Sequence, residues 1–74
     1  MVETRRTRTE ETIAFVRARI SKRALAAGDR LPSVRGLATT LGFSPSTVVE
    51  AYYRLAAEGL IHARRGSGIY VARD

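Results

Sequence analysis

The chain has 74 residues, with 13 lysines and arginines against seven aspartates and glutamates, a formal net charge of +6 and no cysteine. This length suits one small domain, and the lack of cysteine excludes disulfides and thiolate metal sites; with His62 as the single histidine, no metal site is predicted. No apolar run is long enough for a membrane span or a signal peptide, so we expect a cytoplasmic protein without a membrane partner. The positive charge, concentrated at both ends, indicates a polyanionic partner.

The N-terminal region divides into an arm and a helix. Residues 1–8 show no apolar periodicity and carry three arginines, so we predict a disordered basic arm there and a folded domain over residues 9–74. A helix is expected from Thr9, because two glutamates then occupy the first turn, where the helix dipole favours negative charge. This helix is expected to stop before Gly28. Its apolar stripe consists of Ile13, Val16 and Ile20.

A short second helix follows an extended link. Pro32 cannot continue a helix and keeps the residue before it extended. Ser33 is the predicted N-cap of the next helix, and Gly42 is predicted to close that helix in a left-handed conformation. The inward face comprises Val34, Leu37, Ala38 and Leu41.

The third predicted helix, at about residues 45–58, begins at a serine-proline pair. Ser44 is placed to cap it, and Pro45 stands at the first helical position, where a missing N–H is harmless. Glu50 lies four residues before Arg54, a spacing at which opposite charges pair on a helix. The apolar stripe comprises Val48, Ala51, Tyr52 and Leu55, whereas Ser46, Val49 and Tyr53 project to other sides.

Beyond Gly59 the pattern predicts a β-hairpin. Two apolar segments, residues 60–64 and 69–72, flank the sequence Arg65-Gly66-Ser67-Gly68. Because an isolated two-stranded hairpin is marginally stable, its apolar side chains are expected to pack on the helices. The order of elements gives the fold class: mainly α with a small β-hairpin (α+β), a winged helix-turn-helix with three helices plus a wing.

Two short helices joined by a tight turn form the arrangement that places a helix in the major groove of DNA. The third helix is the predicted recognition helix, because its first turn is small and carries the hydroxyls of Ser44, Ser46 and Thr47. Tyr53 projects outward and is a candidate to donate to a phosphate. The wing, at about residues 64–68, has two arginines ahead of a glycine-rich tip and is expected on the minor groove or the phosphates. The predicted partner is double-stranded DNA.

Two other classes of function compete with DNA binding. Catalysis is not predicted, because no nucleophile has a base partner and the Gly66-Ser67-Gly68 segment lacks the lysine of a phosphate-binding loop. A winged helix can instead serve protein or RNA contacts, with its basic face against an acidic or single-stranded partner. Single-strand binders display aromatic stacking platforms, whereas the aromatic residues expected at this surface are Tyr53 and Phe15.

Several short motifs resemble the GntR-family winged-helix signature over about residues 10–73. They are Leu31-Pro32-Ser33-Val34-Arg35, Leu37-Ala38, Leu41-Gly42, Ser46-Thr47-Val48, Leu55, Glu58-Gly59-Leu60 and Arg65-Gly66-Ser67-Gly68. Within that family, the segments at residues 48–52 and 66–71 most resemble the MocR-type subgroup. In that subgroup an aminotransferase-like domain that binds pyridoxal phosphate follows the DNA-binding domain. The resemblance therefore implies no cofactor in this chain, and pyridoxal phosphate only in a domain outside it.

The resemblance also implies which residues contact DNA. The matching positions are Arg35, Ser44, Pro45, Ser46, Thr47, Val49, Arg64, Arg65 and Gly66. Many relatives carry arginine at the positions of Pro45 and Val49, where it can read guanine, so this chain has fewer direct base readers. The family further implies a bacterial transcriptional regulator that forms a homodimer, and binds its small-molecule effector, through a C-terminal domain outside this sequence.

Overall fold

Three helices are followed by a two-stranded antiparallel hairpin in the computed structural model, which describes residues 7–72. The elements are α1 (Arg8–Ser21), α2 (Val34–Leu41), α3 (Pro45–Ala57), β1 (Ile61–Arg64) and β2 (Gly68–Val71). This architecture confirms the predicted fold class of a mainly α winged helix-turn-helix. The basic arm predicted over residues 1–8 lies, for residues 1–6, outside the described part of the chain.

Helix α1 begins earlier than the sequence analysis placed it. The N-cap is Thr7 and Arg8 is already helical, so the expected start at Thr9 was wrong, as was the inclusion of residues 7 and 8 in the arm. The reason is a capping box: the Thr7 hydroxyl accepts from the Glu10 backbone N–H at 3.0 Å, and the Glu10 carboxylate accepts from the Thr7 N–H at 2.9 Å. The helix ends at Ser21, well before Gly28 as expected.

The buried side of α1 contains one polar residue. Val16 is buried as predicted, and Ile13 and Ile20 pack at the edge of the core. Thr12 is also fully buried, and its hydroxyl donates to the Arg8 carbonyl oxygen at 2.8 Å. This bond within the helix satisfies the hydroxyl, which explains why a polar side chain is tolerated at a buried position.

The predicted caps define α2, the turn and α3. The Ser33 hydroxyl accepts from the Gly36 N–H at 3.0 Å, and the Ser44 hydroxyl accepts from the Thr47 N–H at 3.3 Å. Gly42 closes α2 with φ of 73°, a left-handed conformation that glycine adopts without steric cost. Only residues 42–44 separate the two helices, which is the tight turn of a helix-turn-helix.

One hydrophobic core joins all five elements. Helix α3 packs against α1, α2 and β1, and its whole predicted apolar stripe is buried. The core consists of Val16, Leu31, Leu37, Ala38, Val48, Tyr52, Leu55, Ile61 and Val71. None of the helices in the described part of the chain has the length and apolar character needed to cross a membrane.

The hairpin is extended by the link that precedes α2. In the hairpin, Ile61 pairs with Val71 and Arg64 pairs with Gly68. On the other edge of β2, the Leu31 N–H donates to the Ile69 carbonyl oxygen at 2.7 Å, and the Val71 N–H donates to that of Asp29 at 2.9 Å. The predicted extended link therefore pairs with β2 and lies beside the hairpin as a third extended segment. This pairing holds the hairpin against the helices.

Candidate nucleic-acid interface

The first turn of α3 carries a cluster of three hydroxyls, Ser44, Ser46 and Thr47. The Ser44 hydroxyl lies 2.9 Å from that of Thr47 and 3.2 Å from that of Ser46. Ser44 also caps the helix, so its acceptor capacity is partly used inside the protein. Ser46 is exposed, and Thr47 is half-buried. The helix thus begins with small side chains that offer polar groups to a partner approaching end-on.

The exposed side of α3 continues with apolar residues. Pro45, Val49 and Tyr53 follow one another at intervals of four residues and therefore lie along one stripe of the helix. Val49 is 54% exposed and Tyr53 is 77% exposed. We call this stripe, together with Ser46, the groove face. As predicted, these side chains point away from the core that Val48 and its neighbours form.

The charged residues of α3 are paired with each other. The Arg54 guanidinium donates to the Glu50 carboxylate at 3.1 Å, the pair expected from their spacing. Arg54 is the single basic residue of α3, all of which the structure describes. The groove face therefore presents no free arginine or lysine.

An apolar hollow of about 260 Å³ lies between α3 and the hairpin. Val49 and Tyr53 line it from the helix, and Ala63 and Ile69 line it from the two strands. The groove face and one side of the hairpin consequently form a continuous surface. Val34, the first residue of α2, also lines the hollow, and the predicted contact residue Arg35 follows it, exposed in the first helical turn.

The turn of the hairpin presents two arginines. Arg64 is the last residue of β1, and Arg65 and Gly66 follow in an exposed turn. The Ser67 N–H donates to the Arg64 carbonyl oxygen at 3.0 Å and so closes this turn. We call residues 64–67 the wing turn. Within residues 7–72, no side-chain hydrogen bond joins the wing turn or Arg35 to the hydroxyl cluster. The predicted site residues lie at three places: α3 with its N-cap, the first turn of α2, and the wing turn.

Two residues that shape the wing turn were missed by the sequence analysis. The Tyr70 hydroxyl lies 2.6 Å from that of Ser67, and the Arg64 guanidinium lies over the Tyr70 ring, 5.5 Å from its centroid. The His62 ring stacks on the same tyrosine at 6.2 Å between centroids. The signal that could have identified this cluster is the hairpin register, which places His62 directly opposite Tyr70.

The Arg30 side chain lies close against the backbone at the base of the wing. Gly68 has φ of 134°, and a Cβ atom built there would lie 2.8 Å from Nε of Arg30. Arg30 belongs to the extended link and forms a bridge with Tyr70 on β2. The glycine thus lets the link arginine lie against the strand, a contact that the local sequence pattern did not reveal.

Tyr52 ties α3 to the link. Its hydroxyl donates to the Pro32 carbonyl oxygen at 2.7 Å, and the residue is only 5% exposed. Burial raises the pKa of Tyr52 from its ordinary value of 10.0 to about 12. The bond orients the recognition helix relative to the segment that enters α2, so Tyr52 positions the groove face without being part of it.

The described surface does not bring together a set of residues for metal binding. Among residues 7–72, no group of three or more histidine, cysteine, aspartate or glutamate residues is arranged to hold a metal ion. The arrangement offers hydroxyls, a helix N-terminus, apolar carbon and arginines. These groups can recognise a partner through contact and charge.

Comparison with known proteins places the chain among regulators. It is 40% identical over 65 residues to the HTH-type transcriptional repressor YtrA of Bacillus subtilis (strain 168), covering 88% of this chain and 50% of YtrA. It is 46% identical over 57 residues to the "Probable rhizopine catabolism regulatory protein MocR" of Rhizobium meliloti, covering 77% of this chain and 12% of that protein. The chain thus spans half or less of these relatives. They are named as regulators, which confirms the prediction that the domain is not an enzyme.

Solved structures share the fold. A GntR family transcriptional regulator from Listeria monocytogenes superposes with a TM-score of 0.91 at 32% identity, covering 99% of this chain and 64% of that one. The AraR DNA-binding domain in complex with operator ORR3 superposes with a TM-score of 0.91 at 21% identity, covering 97% of this chain and 87% of that one, a likeness of fold alone. The sequence model described as "Bacterial regulatory proteins, gntR family" matches residues 8–71. The chain therefore belongs to the GntR family of bacterial regulatory proteins, whose winged helix-turn-helix DNA-binding domain it forms.

Proposed function

We propose that this domain binds double-stranded DNA by inserting the N-terminal end of α3 into the major groove while the wing turn lies on the minor groove or the flanking phosphates. The observation that carries the proposal is the shared surface. The hollow joins the groove face to the hairpin, so one duplex can meet both elements. The AraR domain, which has the same fold, was crystallised with its operator.

Helix α3 suits insertion because its leading turn is small and polar. Ser46 is exposed, and besides its contact with Ser44 its hydroxyl retains hydrogen-bonding capacity for a phosphate or a base edge. Pro45 removes one N–H that would otherwise need a partner. The N–H groups of the first turn and the positive end of the helix dipole favour an anion at this end. Ser44 and Thr47 contribute chiefly by holding the turn in shape.

Phosphate contacts come from exposed arginines of the wing turn and of the first turn of α2. Arg64 and Arg65 stand on the wing turn, and Arg35 stands in the first turn of α2. Gly66 keeps the turn narrow enough to approach a sugar-phosphate backbone. Tyr53, with its hydroxyl carried on a highly exposed ring, is a further donor to a phosphate.

The test measures affinity by fluorescence anisotropy for a labelled random-sequence duplex and a labelled single strand. If Arg35, Arg64 and Arg65 each neutralise one phosphate, duplex affinity falls about 40-fold between about 50 and about 200 mM salt. Replacing one of the three, in Arg65→Ala, reduces that fall to about 12-fold. A preference for the single strand, or affinity without salt dependence, would favour the alternative function of RNA or protein contacts.

A charge-matched pair of variants locates the contact on α3. Ser46→Glu and Ser21→Glu each add one negative charge at an exposed position, on the groove face and on α1 respectively. Duplex binding should weaken strongly in Ser46→Glu and only slightly in Ser21→Glu, because only residue 46 is proposed to enter the major groove. Equal losses would contradict insertion of α3.

Regulation needs parts outside this chain. The relatives are longer, so we propose that the complete regulator forms a homodimer and binds its effector through a further domain. The likeness to the rhizopine catabolism regulatory protein MocR supports an aminotransferase-like domain with pyridoxal phosphate as that further domain. A chromosomal operator as partner implies a cytoplasmic location.

A further inference from the structure

The groove face lacks the side chains that commonly read guanine. Arginine and lysine recognise guanine through hydrogen bonds to its major-groove edge. In α3 the one such residue, Arg54, is bound to Glu50 at 3.1 Å. Specific recognition by this helix must therefore use other groups than a free cation.

The groove face presents exposed apolar side chains instead of charged ones. Val49 stands one turn beyond Pro45, behind the hydroxyl cluster, and more than half of it is exposed. Val49 and Tyr53 are the exposed large hydrophobic residues among residues 7–72, and both line the hollow. Leaving such side chains in water is unfavourable, so their concentration on one stripe of the helix indicates an apolar contact in the complex.

The major groove offers one apolar group, the C5 methyl group of thymine. Guanine, cytosine and adenine present hydrogen-bonding atoms there, whereas thymine presents its methyl group beside a carbonyl oxygen. A branched aliphatic side chain such as Val49 makes close contact with a methyl group and excludes water from it. Ser46, on the turn before it, supplies a hydroxyl for the neighbouring polar atoms.

Charge identifies the occupant of this apolar stripe as a duplex rather than an apolar protein partner. The chain has a formal net charge of +6. Exposed Arg35 directly follows Val34, which lines the hollow, and exposed Arg65 stands in the wing turn at the end of the hairpin. An apolar stripe between basic groups matches a groove whose floor carries methyl groups and whose rims carry phosphates.

We propose that Val49 reads the C5 methyl group of a thymine in the operator, a proposal that rests on the DNA-binding function above. Val49 is thus a specificity-determining residue, and operators of this protein contain a thymine at the base pair opposite it. The methyl contact supplies selectivity where a guanine-reading arginine is missing.

The experiment removes the methyl group without changing any hydrogen-bonding atom. A duplex is first selected from a random library with the 74-residue chain. Each thymine of that duplex is then replaced, one at a time, by deoxyuridine, and affinity is measured by anisotropy at low salt. At one position the substitution should weaken binding by the wild type about fourfold, the effect of one buried methyl group.

Variants connect this effect to Val49. Val49→Ala should bind the thymine duplex about fourfold more weakly and should not distinguish thymine from uracil at that position. Because the side chain is half exposed, the variant is expected to fold, which circular dichroism checks. Ser21→Ala on α1 is the matched control and should keep both the affinity and the fourfold thymine preference.

The outcomes separate this proposal from the function on which it rests. If the wild type binds every uracil-substituted duplex as tightly as the parent, methyl recognition is overturned while DNA binding stands. The same holds if Val49→Ala retains the thymine preference, or if the selected duplexes share no thymine. If the chain binds no duplex at all, both proposals fail.

Discussion

The bond between the Tyr52 hydroxyl and the Pro32 carbonyl oxygen makes a quantitative prediction about alkaline stability. Tyr52→Phe removes the hydroxyl and its hydrogen bond and keeps the ring. At about pH 8 the free energy of unfolding of the variant should therefore be about 1 kcal/mol lower than that of the wild type. The wild type, however, carries an ionisable group whose pKa rises from 10.0 to about 12 on folding. The difference in stability between the two proteins therefore depends on pH.

The direction follows from which state loses its proton first. Above about pH 10 the unfolded chain ionises Tyr52 while the folded chain still holds the proton, so the unfolded state is favoured as pH rises towards 12. With these two pKa values, the wild type loses about 1.4 kcal/mol between about pH 8 and about pH 11 from this group alone. Tyr52→Phe lacks this ionisable group and does not show this loss of stability. The free energies of unfolding of the two proteins should therefore become equal between about pH 10.5 and about pH 11.

Urea unfolding followed by circular dichroism, at steps from about pH 8 to about pH 11, measures both curves. Tyr53→Phe is the matched control, since that ring is 77% exposed, and its curve should run parallel to the wild type. All ionisable groups other than the substituted tyrosine are common to the compared proteins, so their contributions cancel in the differences. A gap between wild type and Tyr52→Phe that stays constant with pH would refute the link between burial and stability.

Three further substitutions test the fold. Leu55→Ala, at a fully buried position, should lower the free energy of unfolding by about 3 kcal/mol in urea titrations. Gly68→Ala should lower it by about 2 kcal/mol, because φ is 134°, a backbone conformation that residues with a Cβ atom rarely adopt. Arg17→Ala should lower it by less than about 1 kcal/mol, because the 2.7 Å ion pair with Glu58 is largely exposed.

Each of these expectations has an outcome that contradicts it. In an Arg30→Ala background the Gly68→Ala loss should be nearly unchanged, and a loss that disappears there would assign the effect to the Arg30 contact instead of to backbone strain. A loss above about 2 kcal/mol in Arg17→Ala would mean that the exposed pair is more than a surface contact. A small effect of Leu55→Ala would show that the core around it collapses readily.

Part of the candidate site was readable from local chemistry. Ser44 and Pro45 predict the start of a helix, and the spacing of Glu50 and Arg54 predicts their ion pair. Both features involve residues within a few positions of one another. The capping box of Thr7 and Glu10 is equally local and could have been found from the sequence. The wing-turn contacts of Tyr70 could be anticipated only once the hairpin register was known.

The sequence by itself determined the order and type of the elements, because caps, apolar stripes and turn glycines act over a few residues. Only the tertiary structure decided how the elements meet. The pairing of Leu31 with Ile69 and the bond from Tyr52 to Pro32 join residues 20 or more positions apart. The hollow brings α3 together with both strands of the hairpin and the first residue of α2. Such contacts depend on how the chain closes around its core, and no local pattern encodes that closure.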